Sequence, residues 1–195
     1  MGQFEVLKKI QEIELDALKE FNKICKENNL MFFLRGGSVM GAVKYQGFIP
    51  WDDDVDIMMP RPDYDKLLLY LKDHISEYHH LQVFNREECP EYPYMITRIS
   101  DDRYTIEMAN EKPFGIGVCI DIYPYDVLEN TKKESIKYVL KCDWLSSLCY
   151  QSTREHFAIE TTTSLVRKLI KFPVYVYAKI RGKNYFQEKL EKLSR

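Results

Sequence analysis

The chain has 195 residues, 45% of them apolar, which is enough for one domain with a hydrophobic core, or for one domain plus a small appendage. Its formal net charge is −2, so its composition does not favour a nucleic-acid-binding protein, and we expect no nucleic acid partner. Five cysteines without metal-ligand spacing, no apolar leader and no apolar run of about 20 residues predict a cytoplasmic protein that does not cross a membrane.

The N-terminal part of the chain predicts two helices around a short strand. Apolar side chains at helical spacing predict a helix over 4–27, and residues 30–34 read as a short buried strand. Residues 35–38, Arg-Gly-Gly-Ser, predict a glycine-rich turn, and a short helix follows over 39–45.

The middle of the chain is dominated by strand-like patterns. One helix begins at Pro62, a residue that is favoured in the first helical turn. The last strand is expected to stop at Pro124, which cannot donate a ladder hydrogen bond. The predicted strands are 55–59, 80–84, 94–99, 104–108 and 117–123.

The last third is predicted to be helical over 132–150, 155–171 and 174–193, with Pro173 separating the last two helices. One helix, a mixed middle and a helical end indicate an α+β fold: a mixed β-sheet with flanking helices and a helical C-terminal third.

The stretch over 48–60, Phe-Ile-Pro-Trp-Asp-Asp-Asp-Val-Asp-Ile-Met-Met-Pro, places four carboxylates directly before an apolar run. Because side chains alternate along a strand, Asp54 and Asp56 project from one face while Val55 and Ile57 enter the core. Two carboxylates held so close repel each other unless a cation neutralises them. Hard oxygen ligands favour Mg²⁺ or Mn²⁺, so this stretch predicts a divalent-cation site.

A third carboxylate and a phosphate-binding turn extend the predicted site. Asp121 is isolated among apolar neighbours, where a buried acid needs a partner or a function. Gly36 and Gly37 let backbone N–H groups approach a phosphate, and Ser38 lies near the start of a helix whose dipole favours anions. Hydrogen-bond donors for a phosphate, placed beside three carboxylates, predict phosphoryl transfer at a two-metal site.

The stretch over 35–57 closely resembles the signature of the LicD family, which belongs to the nucleotidyltransferase-fold superfamily and includes the fukutin-related proteins. The stretch over 120–126, Ile-Asp-Ile-Tyr-Pro-Tyr-Asp, resembles the family's second motif, and the resemblance covers about 5–128. It implies a nucleotidyltransferase-fold catalytic core over 1–130 and a helical region over 131–195. Family members usually continue into a further segment, so we expect either a truncated chain or a short branch of the family.

The resemblance implies a phosphotransferase that depends on Mg²⁺ or Mn²⁺, with two ions, and that uses a CDP-linked donor. LicD proteins are associated with transfer of phosphocholine from CDP-choline to cell-surface glycans such as teichoic acid or lipopolysaccharide, and fukutin-related proteins transfer ribitol phosphate from CDP-ribitol. Asp54, Asp56 and Asp121 match the metal-binding and catalytic carboxylates, and Asp121 is the candidate general base. An acceptor hydroxyl would attack the phosphorus, and CMP would leave.

The resemblance also implies which residues bind the substrate. Gly36, Gly37 and Ser38 match the phosphate-binding turn, although LicD members commonly have Gly-Thr there. Lys44 stands where many relatives have arginine, which keeps the charge but loses the bidentate fork. Lys44 and Arg61 are both candidate substrate-binding residues, with a surface salt bridge as the alternative role.

Other interpretations of the acidic stretch stay open. A calcium-binding EF-hand requires glycine where Ile57 stands and glutamate where Asp63 stands, which argues against it. A conventional nucleotidyltransferase would move a nucleoside monophosphate onto a small molecule and release pyrophosphate. A non-catalytic nucleotide-binding module would not need the complete set of three carboxylates.

The C-terminal helices are basic. Residues 165–195 hold 9 Lys/Arg against 2 Asp/Glu, whereas residues 1–164 hold 19 against 28. The pattern predicts either a peripheral membrane contact at the inner face of the membrane, where a lipid-linked glycan acceptor would be held, or a docking helix with an exposed basic face. A choline headgroup would favour an aromatic cage, and the candidates are Trp51, Tyr45, Tyr123 and Tyr125.

Overall fold

The computed structural model describes residues 2–107, 110–111, 114–128, 131–157 and 165–194. The chain forms two compact units. The first unit is built from 1–90, 96–106 and 115–126, and it contains every strand of the sheet. The second unit is built from 91–95, 107–114 and 127–195.

The first unit alternates helices and strands. Its helices are α1 (Gln3–Glu27), α2 (Gly36–Tyr45) and α3 (Arg61–His74), with a 3₁₀ turn over Ile75–Glu77. Its strands are β1 (Phe33–Leu34), β2 (Val55–Pro60), β3 (Leu81–Phe84), β4 (Thr97–Asp101) and β5 (Cys119–Tyr125). The second unit contains α4 (Lys132–Thr153) and α5 (Leu165–Ser194).

The five strands form one mixed sheet in the order β1-β2-β5-β4-β3. β2 and β5 run parallel, and the other neighbours are antiparallel. Since β2 and β5 are far apart in sequence but adjacent in the sheet, acidic residues at the same height on both strands become neighbours. The predicted α+β class, with a mixed sheet and flanking helices, is confirmed.

One face of the sheet carries the hydrophobic core. Residues alternate between buried and partly exposed along β2, and the buried positions Val55, Ile57 and Met59 are at most 3% exposed. They pack in one cluster with buried side chains of β5, α1 and α3, such as Ile122, Phe21 and Leu67. The alternation leaves Asp56 and Asp121 outside this cluster, as the pattern of β2 predicts.

Several of the predicted strands differ from the structure. Residues 104–107 are not in a strand, and Met108 lies outside the described residues, so the strand predicted over 104–108 is wrong. The strand predicted over 94–99 begins later, at Thr97, and runs to Asp101. Local β propensity does not fix these limits, because a strand extends only where a neighbour pairs with it.

Pro124 does not end β5, which continues to Tyr125. β4 pairs only with the first part of β5, from Cys119 to Ile122. On that side Pro124 therefore has no paired residue, and the N–H that proline lacks costs no ladder hydrogen bond there. On the other side β2 continues alongside, with Met59 opposite Pro124.

The helical C-terminal third also differs in its limits. α4 ends at Thr153, and the helix predicted over 155–171 fails at 155–157, while 158–164 lie outside the described residues. α5 runs through Pro173, which is exposed, so the carbonyl that loses its helical partner can bind water. The interruption comes at Gly182 instead, whose φ of 72° and ψ of 162° are non-helical.

α5 presents several apolar side chains to solvent, including Leu169, Ile170 and Ile180, each at least 67% exposed. Within the described part of the chain, none of the helices combines the length and the apolar character that crossing a membrane requires. Peripheral membrane contact through α5 stays a prediction.

Candidate active site

Asp56 and Asp121 lie directly opposite each other on the parallel strands β2 and β5. Their neighbours Ile57 and Ile122 are also paired, and both of these point into the core. The two carboxylates therefore project from the other face at the same height, with side chains 18% and 14% exposed. The strand register thus brings together two of the three predicted carboxylates.

Arginines contact both carboxylates. Arg98 on β4 binds Asp121 through two hydrogen bonds, from Nε to Oδ1 at 2.7 Å and from Nη2 to Oδ2 at 3.0 Å. Arg35 lies 3.6 Å from Asp56 through its Nη1 atom, and its guanidinium stacks over the Tyr123 ring at 4.2 Å. Paired charges of this kind offset part of the repulsion between the two acids.

Asp54 lies just before β2 and is exposed. Its pKa is raised to about 6, first by its partial burial and then by the charges of Asp56, Asp52, Asp53 and Asp121, in that order. Burial and Asp121 also raise the pKa of Asp56, against the opposing effects of Arg35 and of a hydrogen bond from Tyr123. The site therefore concentrates negative charge and has the electrostatic character that binds a cation.

The N-terminal end of α2 lies beside Asp56. The predicted glycine turn is the first turn of this helix, which begins at Gly36 and not at Val39. Ser38 accepts a hydrogen bond on Oγ from the backbone N–H of Asp56 at 2.9 Å, which fixes the helix start to the strand. A helix start aimed at this position can bind an anionic group such as a phosphate.

Gly36 is required by its backbone and by its neighbour. Its φ is +57°, and a Cβ atom added there would lie 3.3 Å from Oδ2 of Asp56. A Cβ atom added at Gly37 would lie 2.6 Å from Oδ2 of Asp52, so the end of that side chain would have to move. The two glycines let the backbone approach the acidic loop closely.

We predict that Gly36→Ala lowers the free energy of unfolding by about 1–2 kcal/mol, because left-handed backbone is costly for a residue with Cβ. The measurement is urea denaturation, with Gly47→Ala as the matched control. Gly47 has nothing within 4 Å of an added Cβ, so its variant should match the wild-type stability. Equal stability of the two variants would contradict the argument.

The two predicted basic residues lie elsewhere. Lys44 is in the last turn of α2, about 12 Å along the helix from Gly36 at ~1.5 Å per residue. Arg61 follows β2, about 16 Å along the strand from Asp56 at ~3.3 Å per residue. Its guanidinium binds Asp126 through two hydrogen bonds, at 2.7 and 2.9 Å. Among the contacts of the described residues, none joins Lys44 or Arg61 to Asp54, Asp56 or Asp121.

Two of the candidate aromatic residues stand close to each other. Trp51 is 73% exposed, and its ring meets that of Tyr45 in an edge-to-face contact at 6.2 Å. Tyr123 lies under Arg35, while Tyr125 is 60% exposed at the end of β5. These four side chains do not surround one point in the described contacts.

Sequence reasoning did not select Arg98 or Glu14 as site residues. Arg98 interrupts a strand pattern whose neighbours Thr97 and Ile99 are fully buried, and this interruption was a usable signal. Glu14 lies four residues after Ile10 on the apolar stripe of α1, and it is 2% exposed. An acid on the buried side of a helix was a second signal.

The donor chemistry of the site fits a hard divalent cation. Carboxylate oxygens from adjacent strands are the ligands that Mg²⁺ and Mn²⁺ prefer. Glu14 adds a buried Oε2 atom that has no hydrogen-bond partner among the described residues. Over those same residues, no three Asp, Glu, His or Cys side chains are already gathered around one point. Arg98 and Arg35 hold two of the acids instead, so binding an ion requires these carboxylates to reorient.

Comparison with known proteins identifies the family. The profile described as "LicD/FKTN/FKRP, nucleotidyltransferase domain" matches residues 29–158. The chain belongs to the LicD family. The matched region of this LicD-family chain includes β2 and β5 with their paired carboxylates, whereas Glu14 precedes it.

Individual relatives are similar over shorter spans. The chain is 28% identical to "Lipopolysaccharide cholinephosphotransferase LicD" of Haemophilus influenzae over 127 residues, which are 65% of this chain and 47% of the relative. It is 37% identical over 46 residues, 24% of its length, to uncharacterised proteins of Rickettsia prowazekii and Rickettsia typhi, covering 17% and 15% of them. The match thus spans about half the length of the Haemophilus relative and a smaller part of the other two.

Proposed function

We propose that this chain is a divalent-cation-dependent phosphotransferase of the LicD type. It moves phosphocholine, or a similar alditol phosphate, from a CDP-linked donor to a hydroxyl of a cell-surface glycan, and it releases CMP. Membership of the LicD family and the similarity to a cholinephosphotransferase of Haemophilus influenzae support this assignment.

The observation that carries the proposal is the register of β2 and β5. Asp56 stands opposite Asp121 on adjacent parallel strands, on the face away from the core and beside the N-terminal end of α2. Paired acids cost stability, and a chain that needed only to fold would gain by replacing one of them with a neutral residue. The acids can bind a cation, and the adjacent N-terminal end of α2 can bind a phosphate. Together they suit a reaction at a diphosphate.

Each residue of the site has a role in this reaction. Asp54, Asp56 and Asp121 would hold Mg²⁺ or Mn²⁺, which supplies charge neutralisation for the diphosphate. The backbone N–H groups of Gly36 and Gly37 bind a phosphate oxygen, while that of Ser38 donates to the carbonyl oxygen of Arg35 at 3.1 Å. The acceptor hydroxyl oxygen forms a bond to the phosphorus that carries choline or the alditol, its proton passes to Asp121, and the bond to CMP breaks with its electron pair on CMP.

We predict that CDP-linked donors stabilise the chain in the presence of Mg²⁺. A ligand at about 100 times its dissociation constant adds roughly 2.7 kcal/mol of stability. The measurement is thermal unfolding with CDP-choline, CDP-ribitol, CDP-glycerol and CTP, each with and without Mg²⁺. The donor that stabilises most identifies the transferred group, and Asp56→Asn is the control that should lose the Mg²⁺-dependent part.

Product analysis separates the proposed activity from its alternatives. Release of CMP from a CDP-linked donor in the presence of a glycan acceptor supports the phosphotransferase. Release of pyrophosphate from CTP or another nucleoside triphosphate would support a conventional nucleotidyltransferase instead. Nucleotide binding that is unchanged in Asp56→Asn, with no turnover by either chain, would support a non-catalytic binding module.

A further inference from the structure

Glu14 is an acidic residue beside the site to which the proposed function gives no role. It lies on the buried side of α1, between Ile13 and Ala17, which are 5% and 4% exposed, and is itself 2% exposed. Its Oε2 atom has no hydrogen-bond partner in the part of the chain that the structure describes. Removing a carboxylate from water is costly unless a positive charge or hydrogen bonds compensate it.

The position of α1 brings Glu14 towards the acidic loop. Gln11, one turn earlier, donates from Nε2 to the carbonyl oxygen of Asp52 at 2.8 Å and to that of Ile49 at 3.3 Å. These bonds hold this part of α1 against the segment that leads into Asp54. A side chain one turn further along the same helix face is therefore directed at the start of β2.

The charges around Glu14 are negative. Its pKa is raised to about 9, first by burial and then by the charges of Asp54, Asp53, Asp121 and Asp52, in that order. The strongest charges that act on this residue thus repel its ionised form. A divalent ion held by Asp54 and its neighbours would supply the positive charge that this neighbourhood lacks.

We propose that Glu14 is a fourth acidic residue of the divalent-cation site and positions the ion and its first ligands through Asp54. The inference rests on the proposed function, because that function supplies the cation. Side chains of α1 pack in the hydrophobic core, whereas those of Asp56 and Asp121 lie outside that core. We therefore place Glu14 at the outer part of the site. Residues around the direct ligands of a metal ion set the orientation of those ligands and influence how tightly the ion is bound.

The test is the affinity of the complete chain for Mn²⁺, measured from the electron paramagnetic resonance signal of the free ion. Glu14→Gln keeps the shape of the side chain and removes its ability to carry a negative charge. We expect the dissociation constant for Mn²⁺ to be 10- to 100-fold larger. Glu12→Gln is the matched control, since it lies on the same helix with a side chain that is 69% exposed, and it should bind as the wild type does. Glu14→Asp keeps the charge and should restore part of the affinity.

Thermal unfolding without a cation excludes a folding defect. If Glu14 is held for the cation, Glu14→Gln replaces a buried carboxyl whose pKa is raised with a neutral side chain of the same shape, and it should unfold at the wild-type temperature or above it. A lower unfolding temperature, or a Mn²⁺ dissociation constant within twofold of the wild type, would overturn the inference and leave Glu14 as a structural acid.

Asp56→Asn separates this inference from the proposed function. Loss of Mn²⁺ binding in Asp56→Asn, with unchanged binding in Glu14→Gln, overturns only the role of Glu14. A wild-type chain that binds no Mn²⁺ overturns both.

Discussion

Asp56→Asn is expected to reduce kcat/KM for CMP release by roughly a thousandfold, because it removes a cation ligand from the centre of the proposed site. The substitution keeps the size of the side chain and changes only its charge and its ability to bind a metal. The measurement is CMP release from the donor identified by thermal unfolding, at saturating Mg²⁺. Asp53→Asn is the control, since Asp53 is exposed and lies three residues before Asp56 in the same acidic stretch, and it should stay within a few-fold of the wild type.

The same variant should behave differently in a stability measurement. Burial and Asp121 hold the pKa of Asp56 above its usual value, so ionisation of this carboxyl opposes folding. The protonated carboxyl therefore contributes stability, which is fully present below the unfolded-state pKa. This contribution is lost as the pH rises through the raised folded-state pKa. At neutral pH and without a cation, Asp56→Asn should therefore unfold at the wild-type temperature or above it.

Loss of activity without loss of stability marks a residue that the fold does not need for its own sake. A variant that loses both together would assign Asp56 a structural role through Arg35 and Tyr123. Activity within tenfold of the wild type would remove Asp56 from the cation site.

The predictable part of this fold rests on periodicity. The alternation in Val55–Met59 predicted β2 and the face on which Asp56 lies, and the apolar stripe over 4–27 predicted α1 almost to its ends. Both signals are local, since the burial of one face is written into consecutive residues. The limits of β4 and β5 depend on which strand pairs with which, and that is not local information.

The pairing within the site was only partly accessible from the sequence. Asp121 could be associated with Asp54 and Asp56 as a partner in the same chemistry, but its register with Asp56 depends on β2 and β5 being adjacent and parallel. Arg98 reaches Asp121 only because β4 lies on the other side of β5. The order of the strands in the sheet, which makes β4 and β5 neighbours, cannot be inferred from the local pattern of each strand.

Arg98→Met is expected to lower the free energy of unfolding by about 3–5 kcal/mol in the absence of divalent cations. The side chains of Arg98 and Asp121 are 13% and 14% exposed, so the substitution leaves a largely buried carboxylate next to Asp56 without the guanidinium that binds it. The measurement is urea denaturation in EDTA. Arg35→Met is the control: its side chain is 44% exposed and lies 3.6 Å from Asp56, so its loss should cost less than about 1 kcal/mol.

Two further results separate lost charge compensation from lost packing. The double variant Arg98→Met/Asp121→Asn removes the uncompensated charge and should recover most of the stability, whereas equal instability of the single and double variants would assign the loss to packing. Mg²⁺ should also stabilise Arg98→Met more than the wild type, because the ion replaces the positive charge beside Asp121 and no longer competes with a guanidinium for its oxygens. Arg98 would then act as the internal counter-charge of the cation-free site, which the ion must displace when it binds.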